Sequence, residues 1–443
     1  MANETRLRKD AETIFRSSLQ AVDALQAVKK HLVRRNEDLA AGERTYDLSA
    51  FASISVVGAG KASAAMAQAV EEVLGNRLTE GLVTVKYGHA LPLSTVRCRE
   101  AGHPVPDASG LQGSRDIVRL LEAKGEKDLV LCLISGGGSA LLPYPVEGIT
   151  LQDKQDLTKA LLESGVAIQE MNALRKHVSQ VKGGRLAWTA YPATLIVLIL
   201  SDVVGDDLES IASGPTVPDS STFADCLSIL DKHALRDRIP PAALLHLERG
   251  AEGRQDETPK KDAPAFRGTQ NLIVANNMMA IQAARKKAES LGYNTLVLSS
   301  FVEGESREAA KMHAAIAREI LKTGNPAPRP ACVISGGETT VTVHGKGLGG
   351  RNQEFVLAAA LELDGLPGVV MLSAGTDGTD GPTEAAGAVC DGATVQKARA
   401  AGLDAALYLA ENDSYHFFAR SGNLVVTGPT YTNVMDLRLI LAG

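Results

Sequence analysis

The chain has 443 residues, of which 44% are hydrophobic and 22% are charged, and its formal net charge is −6. This composition is typical of a globular protein with about two or three domains. The acidic balance and the aromatic content of only 4% argue against a nucleic-acid-binding protein. The longest apolar run, Ala193 to Leu200, is far short of the ~20 residues of a membrane span. We therefore expect neither nucleic acid nor a membrane as a partner.

The cysteines are five in number and lie far apart, without a CxxC pair: Cys98, Cys132, Cys226, Cys332 and Cys390. Such spacing favours buried free thiols over a disulfide framework or a zinc site. The N-terminal sequence MANETRLRKD is charged and leads into a helical pattern, unlike a secretion signal. Together these features predict a cytoplasmic protein.

The first predicted element is an amphipathic helix within residues 10–39, where apolar side chains recur at helical spacing. After it, short β-branched runs end in glycine-rich turns that open into helical segments. These runs begin at Ile54, Asp128, Thr194, Asn271, Asn294, Val369 and Asn423. Strands that are apolar on both faces and alternate with helices indicate an α/β fold with a parallel sheet.

A polar segment with two prolines, residues 251–270, interrupts this alternation and is the best candidate for a linker. We therefore predict an N-terminal domain over residues 1–245, a linker over 246–269 and a C-terminal domain over 270–443.

The first glycine-rich turn, Gly58-Ala59-Gly60-Lys61, follows a strand and opens a helix, as in a partial dinucleotide fingerprint. Its glycines would let backbone N–H groups approach an anionic cofactor. Lys61 is a cation at a helix start, where the helix dipole disfavours one, and this favours a functional role. A dinucleotide site also needs an acidic residue after the second strand, but Lys86 stands near that place.

The second turn, Ser135-Gly136-Gly137-Gly138-Ser139, directly follows an apolar strand. Three consecutive glycines are costly in backbone entropy, so we expect this turn to bind a phosphate or a carboxylate. A basic segment further on is either a solvated helix face or a site for a substrate carboxylate. Its residues at helical spacing are Asn172, Arg175, Lys176 and His177.

The densest glycine cluster, residues 345–350, leads into Arg351 and an apolar helix. The planar guanidinium of Arg351 could reach a phosphoryl oxygen. We expect Gly349, Gly350 and Asn352 to contact the cofactor beside it.

Two acidic loops are candidate metal or base sites. Asp377 and Asp380 lie three residues apart in a glycine-rich loop, where they either hold Mg²⁺ or form turns without a metal. Asp202, Asp206 and Asp207 follow the strand that begins at Thr194. One of them could act as a base or a metal ligand, and another as a helix cap.

The motifs of this chain, in their order, resemble those of the class II glycerate kinases, or glycerate 2-kinases, of the MOFRL family, which also carry the older name hydroxypyruvate reductase. They are GAGKAS, HPVPD, ISGGGSALL, NALRKHVSQVKGGRLA, SDVVGDDLESIASGPTVPD, ISGGETTVTVHGKGLGGRNQE and LSAGTDGTDGPTEAAGA, and the resemblance runs from about Ile14 to Leu439. It implies a Rossmann-like N-terminal domain, a smaller α/β MOFRL-type C-terminal domain and an active site in the cleft between them. It also implies ATP, Mg²⁺ and D-glycerate as ligands. Lys61 matches the family's active-site lysine and Arg351 its active-site arginine, whereas Tyr431 stands where the family has a glycine.

The resulting hypothesis is a kinase that transfers the γ-phosphoryl group of ATP to the 2-hydroxyl of D-glycerate, giving 2-phosphoglycerate and ADP. Lys61 and Arg351 would neutralise the charge of that group, Asp202 would take the hydroxyl proton, and Asp377 or Asp380 would hold Mg²⁺. The substrate carboxylate would lie near Ser135–Ser139 or near Arg175 and Lys176. The alternatives are an NAD(P)H-dependent hydroxypyruvate reductase and a nucleotide-binding protein without turnover. The chain could also form a homodimer.

Overall fold

The predicted alternation of strands and helices is present in the structure, a computed structural model that describes residues 2–443. The chain is divided into two compact units. One is formed by Ala24–Val274, and the other by Ala275–Gly443 together with the N-terminal residues up to Asp23. The expected α/β class with a separate C-terminal domain is confirmed.

The N-terminal region differs from the single helix expected within residues 10–39. Helix α1 (Ala2–Ala21) ends early, α2 (Ala24–His31) follows, and the chain then forms a small antiparallel sheet. Its strands are β1 (Leu32–Arg35), β2 (Asp38–Ala41) and β3 (Arg44–Asp47). Asn36 lies between β1 and β2, and Gly42 lies between β2 and β3. Their φ values of 55° and 58° are left-handed, as tight turns between strands require.

The Ala24–Val274 unit contains α2, β1–β3 and a six-stranded sheet with its helices. The further elements are β4 (Ser53–Ala59), α3 (Ser63–Leu74), β5 (Glu80–Lys86), β6 (Val96–Ala101), α4 (Ala108–Glu122), β7 (Asp128–Ile134), α5 (Gly138–Leu141), α6 (Leu151–Glu163), α7 (Ile168–His177), α8 (Arg185–Ala190), β8 (Thr194–Leu200), α9 (Phe223–Lys232), α10 (Pro241–Ala251) and β9 (Thr269–Ala275).

The strand order of this sheet is β6-β5-β4-β7-β8-β9, and the pairs from β6 to β8 are all parallel. The carboxyl ends of these strands therefore lie at one edge. The order reverses between β4 and β7, which is the place where open α/β sheets bind ligands. The two glycine-rich turns of the N-terminal half follow these two strands.

The predicted domain bounds differ from this division at two places. Helix α1 belongs with the C-terminal unit, because Leu7, Ala11, Ile14 and Phe15 are buried in the core of that unit. Strand β9 was expected to begin the C-terminal domain, but it adds to the edge of the first sheet beside β8. Much of the predicted linker forms the end of α10 and a loop within the Ala24–Val274 unit.

The C-terminal unit contains a second six-stranded sheet and its helices. Its elements are α11 (Asn277–Ser290), β10 (Asn294–Val302), α12 (Ser306–Thr323), β11 (Ala331–Gly337), α13 (Arg351–Glu362), β12 (Val369–Gly375), β13 (Gly387–Asp391), α14 (Thr394–Ala400), α15 (Ala405–Ala410), α16 (Ser414–Ser421), β14 (Leu424–Val425) and β15 (Asp436–Ala442).

This second sheet is mixed, whereas the apolar runs predicted parallel strands throughout. Its order is β10-β11-β15-β12-β13-β14, and only the β10–β11 pair is parallel. The reason is the C-terminal strand β15, which lies between β11 and β12 and is antiparallel to both. Local sequence does not reveal such a long-range insertion.

Candidate active site

The turn between β4 and α3 packs directly on the turn between β7 and α5. Gly60 has φ of 147°, and a Cβ there would lie 2.1 Å from Ser135 Oγ. The amide of Lys61 donates to Gly136 O over 2.8 Å, and the amide of Ala62 donates to Ser135 Oγ over 3.0 Å. These amides, expected to face an anionic cofactor, are thus bound to protein oxygens.

The glycines of the first turn therefore have a packing role in the structure. Gly58 lies within β4, where a Cβ would meet Leu133 O at 2.4 Å, and Gly60 lets the two turns touch. Lys61 is half-buried at the carboxyl edge of the sheet. Its contact with a ligand stays a prediction.

The turn between β7 and α5 keeps two backbone donors available. Within residues 2–443 the amides of Gly136 and Gly137 donate no hydrogen bond. Gly137 has φ of 81°, and a Cβ there would lie 2.8 Å from the ring of His103. Gly138 likewise approaches Ala59 O, at 3.0 Å from a Cβ position. This turn, unlike the first, retains the donors that an anion needs.

Three cationic side chains gather around Ser139 at the end of this turn. Lys182 Nζ donates to Ser139 O over 2.9 Å, to Ser139 Oγ over 3.0 Å and to Ala212 O over 3.3 Å. Arg175 donates from Nη2 to Ser139 Oγ over 2.7 Å. Lys154 on α6 is near enough to act electrostatically on Lys182. We call Lys154, Arg175, Lys182 and Ser139 the Ser139 cluster.

The Ser139 cluster is buried, and this changes its protonation. Lys182 is 0% exposed and Lys154 is 3% exposed. Burial, followed by the charge of Arg175, lowers the pKa of Lys154 to about 7. Burial, followed by the charges of Lys154 and Arg175, lowers the pKa of Lys182 well below its usual range. Two interpretations were open for the basic segment at residues 172–177: a solvated helix face or a site for a substrate carboxylate. The burial of this region argues against a solvated face.

A strained backbone segment adjoins the cluster. Ala212 and Ser213 have φ of 50° and 62°, left-handed values that cost non-glycine residues about 1–3 kcal/mol each. Ser213 Oγ donates to Asn172 Oδ1 over 3.1 Å, so the hydroxyl proton of Ser139 points to Ser213 Oγ, 3.0 Å away. The Ser139 oxygen is then left to accept from Arg175 and Lys182. The network fixes the orientation of this hydroxyl.

The neighbouring residues of α7 have structural partners instead. Lys176 Nζ pairs with Glu209 and Asp219 over 3.0 and 3.1 Å, and His177 Nε2 lies 2.7 Å from Glu257. Lys176 is already paired with two carboxylates, so only Arg175 of these two residues remains a candidate for binding the substrate carboxylate.

The acidic residues after β8 differ in position and in hydrogen bonding. Asp202 follows the strand directly, half-buried at the carboxyl edge of the sheet. Asp207 accepts from the amide of Glu209 and from Ser210 Oγ, so it stabilises the following turn. Asp202 is consequently the better placed of the two to act as a base, and that role stays a prediction.

In the C-terminal unit, Arg351 is held by two carboxylates. It donates from Nε and Nη2 to Asp436 over 2.8 and 2.9 Å, and Nη1 lies 2.7 Å from Glu338 Oε1. Burial alone would lower the pKa of Arg351, but the Asp436 carboxylate outweighs burial and the pKa is raised. The side chain remains 30% exposed. Arg351 is thus a fixed and permanently charged group.

The glycine-rich loop before Arg351 packs against protein backbone. A Cβ at Gly347 would lie 2.3 Å from Asp413 Cβ, and one at Gly349 would lie 2.2 Å from Ser414 Oγ. Three loop amides are bound: Gly345 N donates to Asn412 Oδ1 over 2.9 Å, Gly347 N to Glu411 O over 2.9 Å and Leu348 N to Asp413 Oδ1 over 2.9 Å. Close packing therefore explains these glycines. The loop nevertheless borders a pocket of about 490 Å³ that is also lined by Arg351 and Thr339.

The first turn of α13 is capped by a carboxylate of the protein. Asp380 accepts from the amides of Asn352 and Gln353 over 3.1 and 2.8 Å, and a Cβ at Gly350 would lie 2.3 Å from Asp380 Cγ. The side chain of Asn352 is 0% exposed and donates to Asp436 over 2.9 Å. In the structure Gly350 lies against the Asp380 carboxylate and Asn352 binds Asp380 and Asp436, while their predicted contact with the cofactor stays a prediction.

The two aspartates expected to bind Mg²⁺ are not equivalent. Asp380 is 2% exposed, and burial raises its pKa to about 6 against the opposing amide hydrogen bonds. Its two oxygens accept these amide hydrogen bonds, so Asp377 is the more available carboxylate, and metal binding by either residue stays a prediction. Asp377 is half-buried, and its Oδ1 accepts from the amide and hydroxyl of Thr379. Across residues 2–443 no three His, Cys, Asp or Glu side chains are grouped so that they could hold a metal ion.

Comparisons with known proteins decide the family. Residues 10–248 match the domain of unknown function DUF4147, and residues 331–436 match the MOFRL family. A D-glycerate 2-kinase from Thermotoga maritima is 42% identical over 434 residues, which cover 97% of each chain. The crystal structure of a glycerate kinase from Thermotoga maritima superposes with a TM-score of 0.87 at 41% identity, covering 99% of this chain and 100% of that one. The chain belongs to the MOFRL glycerate kinase family.

The family also includes relatives with a different name. A protein from Agrobacterium vitis named as a hydroxypyruvate reductase is 44% identical over 390 residues, covering 88% of this chain and 87% of the relative. The resemblance identified from the motifs is thereby confirmed, together with its two names.

One departure from the family pattern has a physical basis in the structure. The motifs predict a glycine where Tyr431 stands, and Tyr431 has φ of 53°. This left-handed conformation favours glycine, because a side chain there meets its own backbone. The backbone at Tyr431 is therefore strained in this member of the glycerate kinase family.

Sequence reasoning missed several buried charged residues that lie beside the candidate site residues within each unit. Lys154 lies on the buried face of α6 with Leu157 and Leu161, and a lysine at such a position was the available signal. Asp436 and Arg438 interrupt the apolar strand β15, and both are buried. Lys182 falls within a motif that was recognised, but burial alone sets it apart from the other basic residues.

Proposed function

We propose that this protein is a glycerate 2-kinase that transfers the γ-phosphoryl group of ATP to the 2-hydroxyl of D-glycerate, giving 2-phosphoglycerate and ADP. The observation that carries the proposal is the 42% identity to a D-glycerate 2-kinase over 97% of both chains. The cationic groups at the ends of the parallel strands and at the start of α13 support it, since phosphoryl transfer requires mainly positioning and charge neutralisation.

In this proposal each predicted catalytic residue has one task. Lys61 and Arg351 neutralise negative charge on the transferring phosphoryl group. Arg351 is suited to this because Asp436 and Glu338 fix its guanidinium while part of it stays exposed. Asp202 takes the proton of the 2-hydroxyl as that oxygen attacks the γ-phosphorus. The turn at Ser135–Ser139 binds an anionic group of a substrate.

Magnesium is proposed to arrive with the nucleotide. Mg²⁺ is usually held by one or two carboxylates together with substrate phosphates, and Asp377 offers one such carboxylate. When bound, the ion neutralises phosphate charge. Asp380 is left out of this role because its carboxylate caps α13.

The reductase alternative is supported by the partial dinucleotide fingerprint at residues 58–61 and by the name of the Agrobacterium vitis relative, but the structure does not strengthen it. In the first sheet the strand after β4 and α3 is β5, and it ends at Lys86. A nicotinamide dinucleotide would need an acidic residue there. The amides of the Gly58–Lys61 turn are also bound to protein oxygens. The Rossmann-like character of the N-terminal domain stays a prediction, and dinucleotide binding remains the alternative.

Partners and location follow as proposals. None of the helices within residues 2–443 has the length and apolar content to cross a bilayer. The five cysteines are free thiols, and this supports our proposal of a reducing, cytoplasmic compartment. We keep D-glycerate as the small-molecule substrate and a homodimer as a prediction.

One assay tests the activity. Purified protein is incubated with ATP, Mg²⁺ and D-glycerate, and the product is passed to enolase, which accepts 2-phosphoglycerate but not 3-phosphoglycerate. We expect enolase-dependent product and equal ADP release. Oxidation of NADH or NADPH by hydroxypyruvate in place of this turnover would support the reductase, and ATP binding without turnover would support the non-catalytic alternative.

A further inference from the structure

The Ser139 cluster concentrates positive charge without a negative partner. Among residues 3–443, no hydrogen bond or ion pair is made by the Lys154 ammonium, although its side chain is 3% exposed. Arg175 Nε is also buried without a partner. Lys182 and Arg175 bind only the oxygens of Ser139 and Ala212. Such a cluster is suited to an anion that the protein itself does not supply.

The charges that act on the cluster come from its own members. Lys154 is influenced by Arg175, and Lys182 by Lys154 and Arg175. The ring of His103 lies beside Gly137 of the same turn. Lys176, on the same helix as Arg175, is already neutralised by Glu209 and Asp219. No carboxylate within residues 3–443 forms an ion pair with Lys154, Arg175 or Lys182.

Burial of unpaired cations is unfavourable, so such groups give up their protons or acquire an anion. In the free protein the balance shifts towards proton loss, since burial and neighbouring positive charge lower the pKa of Lys154 to about 7 and also lower the pKa of Lys182. A bound anion would reverse this shift, because an opposite charge stabilises the protonated amine. Ligand binding and proton uptake are then linked.

Position and shape favour a small anion at this place. The cluster adjoins the turn after β7, at the sheet edge where the strand order reverses. Ser139 itself is half-exposed, so the cluster can be reached from solvent at that residue. The planar fork of Arg175 matches a carboxylate, which is smaller than a metal-bound polyphosphate. The left-handed Ala212 and Ser213 hold the acceptor side of the network in place.

We propose that the Ser139 cluster binds the carboxylate of D-glycerate and takes up a proton from solvent when it does so. Arg175 and Lys182 contact the carboxylate, and Lys154 takes up the proton because the bound negative charge stabilises its ammonium form. This inference rests on the proposed glycerate kinase activity, but it assigns the substrate subsite to residues that lie apart from Lys61 and Arg351.

The test is isothermal titration calorimetry with D-glycerate, in the presence of a saturating non-hydrolysable ATP analogue. Wild-type protein, Lys154→Met and Lys159→Met are titrated near pH 8 in HEPES and in Tris, whose ionisation enthalpies differ. Lys159 lies on the same helix but its side chain is 74% exposed, so it is the matched control. We expect uptake of about one proton by wild-type and control protein, and a loss of affinity of about tenfold or more in Lys154→Met.

Two further measurements separate this site from its alternatives. The same proteins are titrated with the ATP analogue alone and with inorganic phosphate. Lys154→Met should leave the affinity for the ATP analogue unchanged. It should also raise the thermal unfolding midpoint, because it removes a buried amine without a partner. A purely structural lysine would give the opposite stability change.

The outcomes distinguish this inference from the proposed function. If Lys154→Met weakens binding of the ATP analogue and not of D-glycerate, the cluster binds phosphate and the carboxylate assignment is overturned. The absence of proton uptake by wild-type protein near pH 8 also overturns it, even if Lys154→Met should fail to fold. If wild-type protein phosphorylates D-glycerate while these tests fail, only the subsite assignment is lost. If it neither binds nor phosphorylates D-glycerate, both proposals are lost.

Discussion

Arg351 donates two hydrogen bonds to the carboxylate of Asp436, over 2.8 and 2.9 Å, and thereby joins the first residue of α13 to the first residue of β15. The same carboxylate accepts from Arg438, whose side chain is 1% exposed and has two nitrogens without a partner. Asp436 therefore serves two arginines, one half-exposed at the site and one buried behind it. This arrangement leads to the first prediction.

Asp436→Asn should lower both stability and kcat. The substitution leaves the buried Arg438 without a counter-charge, and loss of one member of a buried ion pair costs about 3–5 kcal/mol. It also frees the Arg351 guanidinium, so kcat should fall by about tenfold or more. Urea denaturation and the enolase-coupled assay measure the two effects. Asp364→Asn, which removes a half-buried partner of Arg399 at 3.7 Å, should change stability by less than about 1 kcal/mol. Equal behaviour of the two variants would contradict the assigned role.

Lys61→Ala and Arg351→Ala should each lower kcat by about 100-fold, because both groups act on charge that develops in the transition state. The double variant should lose less than the product of the two factors if both serve one phosphoryl group. Circular dichroism and thermal unfolding establish that each variant is folded. Lys127→Ala, an exposed lysine just before β7, is the control and should keep its kcat. Near-normal kcat in Lys61→Ala would remove Lys61 from the mechanism.

Asp380 should make the protein's stability depend on pH in an unusual direction. Its pKa is raised from 3.8 to about 6 by burial, so the folded state binds this proton more tightly than the unfolded state. Its contribution to the free energy of unfolding is fully present below pH 3.8 and is lost as the pH rises through about 6. The shift corresponds to about 3 kcal/mol across this window.

The contribution of Asp380 can be isolated by difference. Urea denaturation of wild-type protein and Asp380→Asn from pH 4 to pH 7 should show a gap that widens in favour of wild-type protein as the pH falls. Asp364→Asn serves as a carboxylate control. A gap that stays constant over this range would mean that Asp380 keeps its usual pKa.

The Mg²⁺ requirement should depend on Asp377 and not on Asp380. Asp377→Asn should raise the Mg²⁺ concentration for half-maximal activity about several-fold, because the ion loses one carboxylate ligand. Asp380→Asn should alter stability while leaving that concentration unchanged. A chelator should abolish turnover in every active variant. If the Mg²⁺ titration of Asp377→Asn matches wild-type protein, the metal ligand must be sought at Asp202, Asp206 or Asp207.

Local sequence determined the positions of most strands and of the turns that follow them. The runs that begin at Ile54, Asp128 and Thr194 become strands β4, β7 and β8 within one or two residues, because apolar period and glycine breaks are local properties. One of the acidic residues after β8 was expected to cap a helix, and in the structure Asp207 stabilises a turn. The motifs also identified the family from the sequence alone.

Only the tertiary structure decided what those turns do. Gly60 and Gly349 approach protein atoms rather than a ligand, and nothing in their own sequence distinguishes the two cases. Strand β15 (Asp436–Ala442) lies between β11 (Ala331–Gly337) and β12 and makes the second sheet mixed. Periodicity cannot reveal such a long-range pairing. Burial separates Lys154 and Lys182 from the basic residues at the surface. The protonation of a lysine depends on the solvent and charges around it, and these exist only once distant segments have packed together.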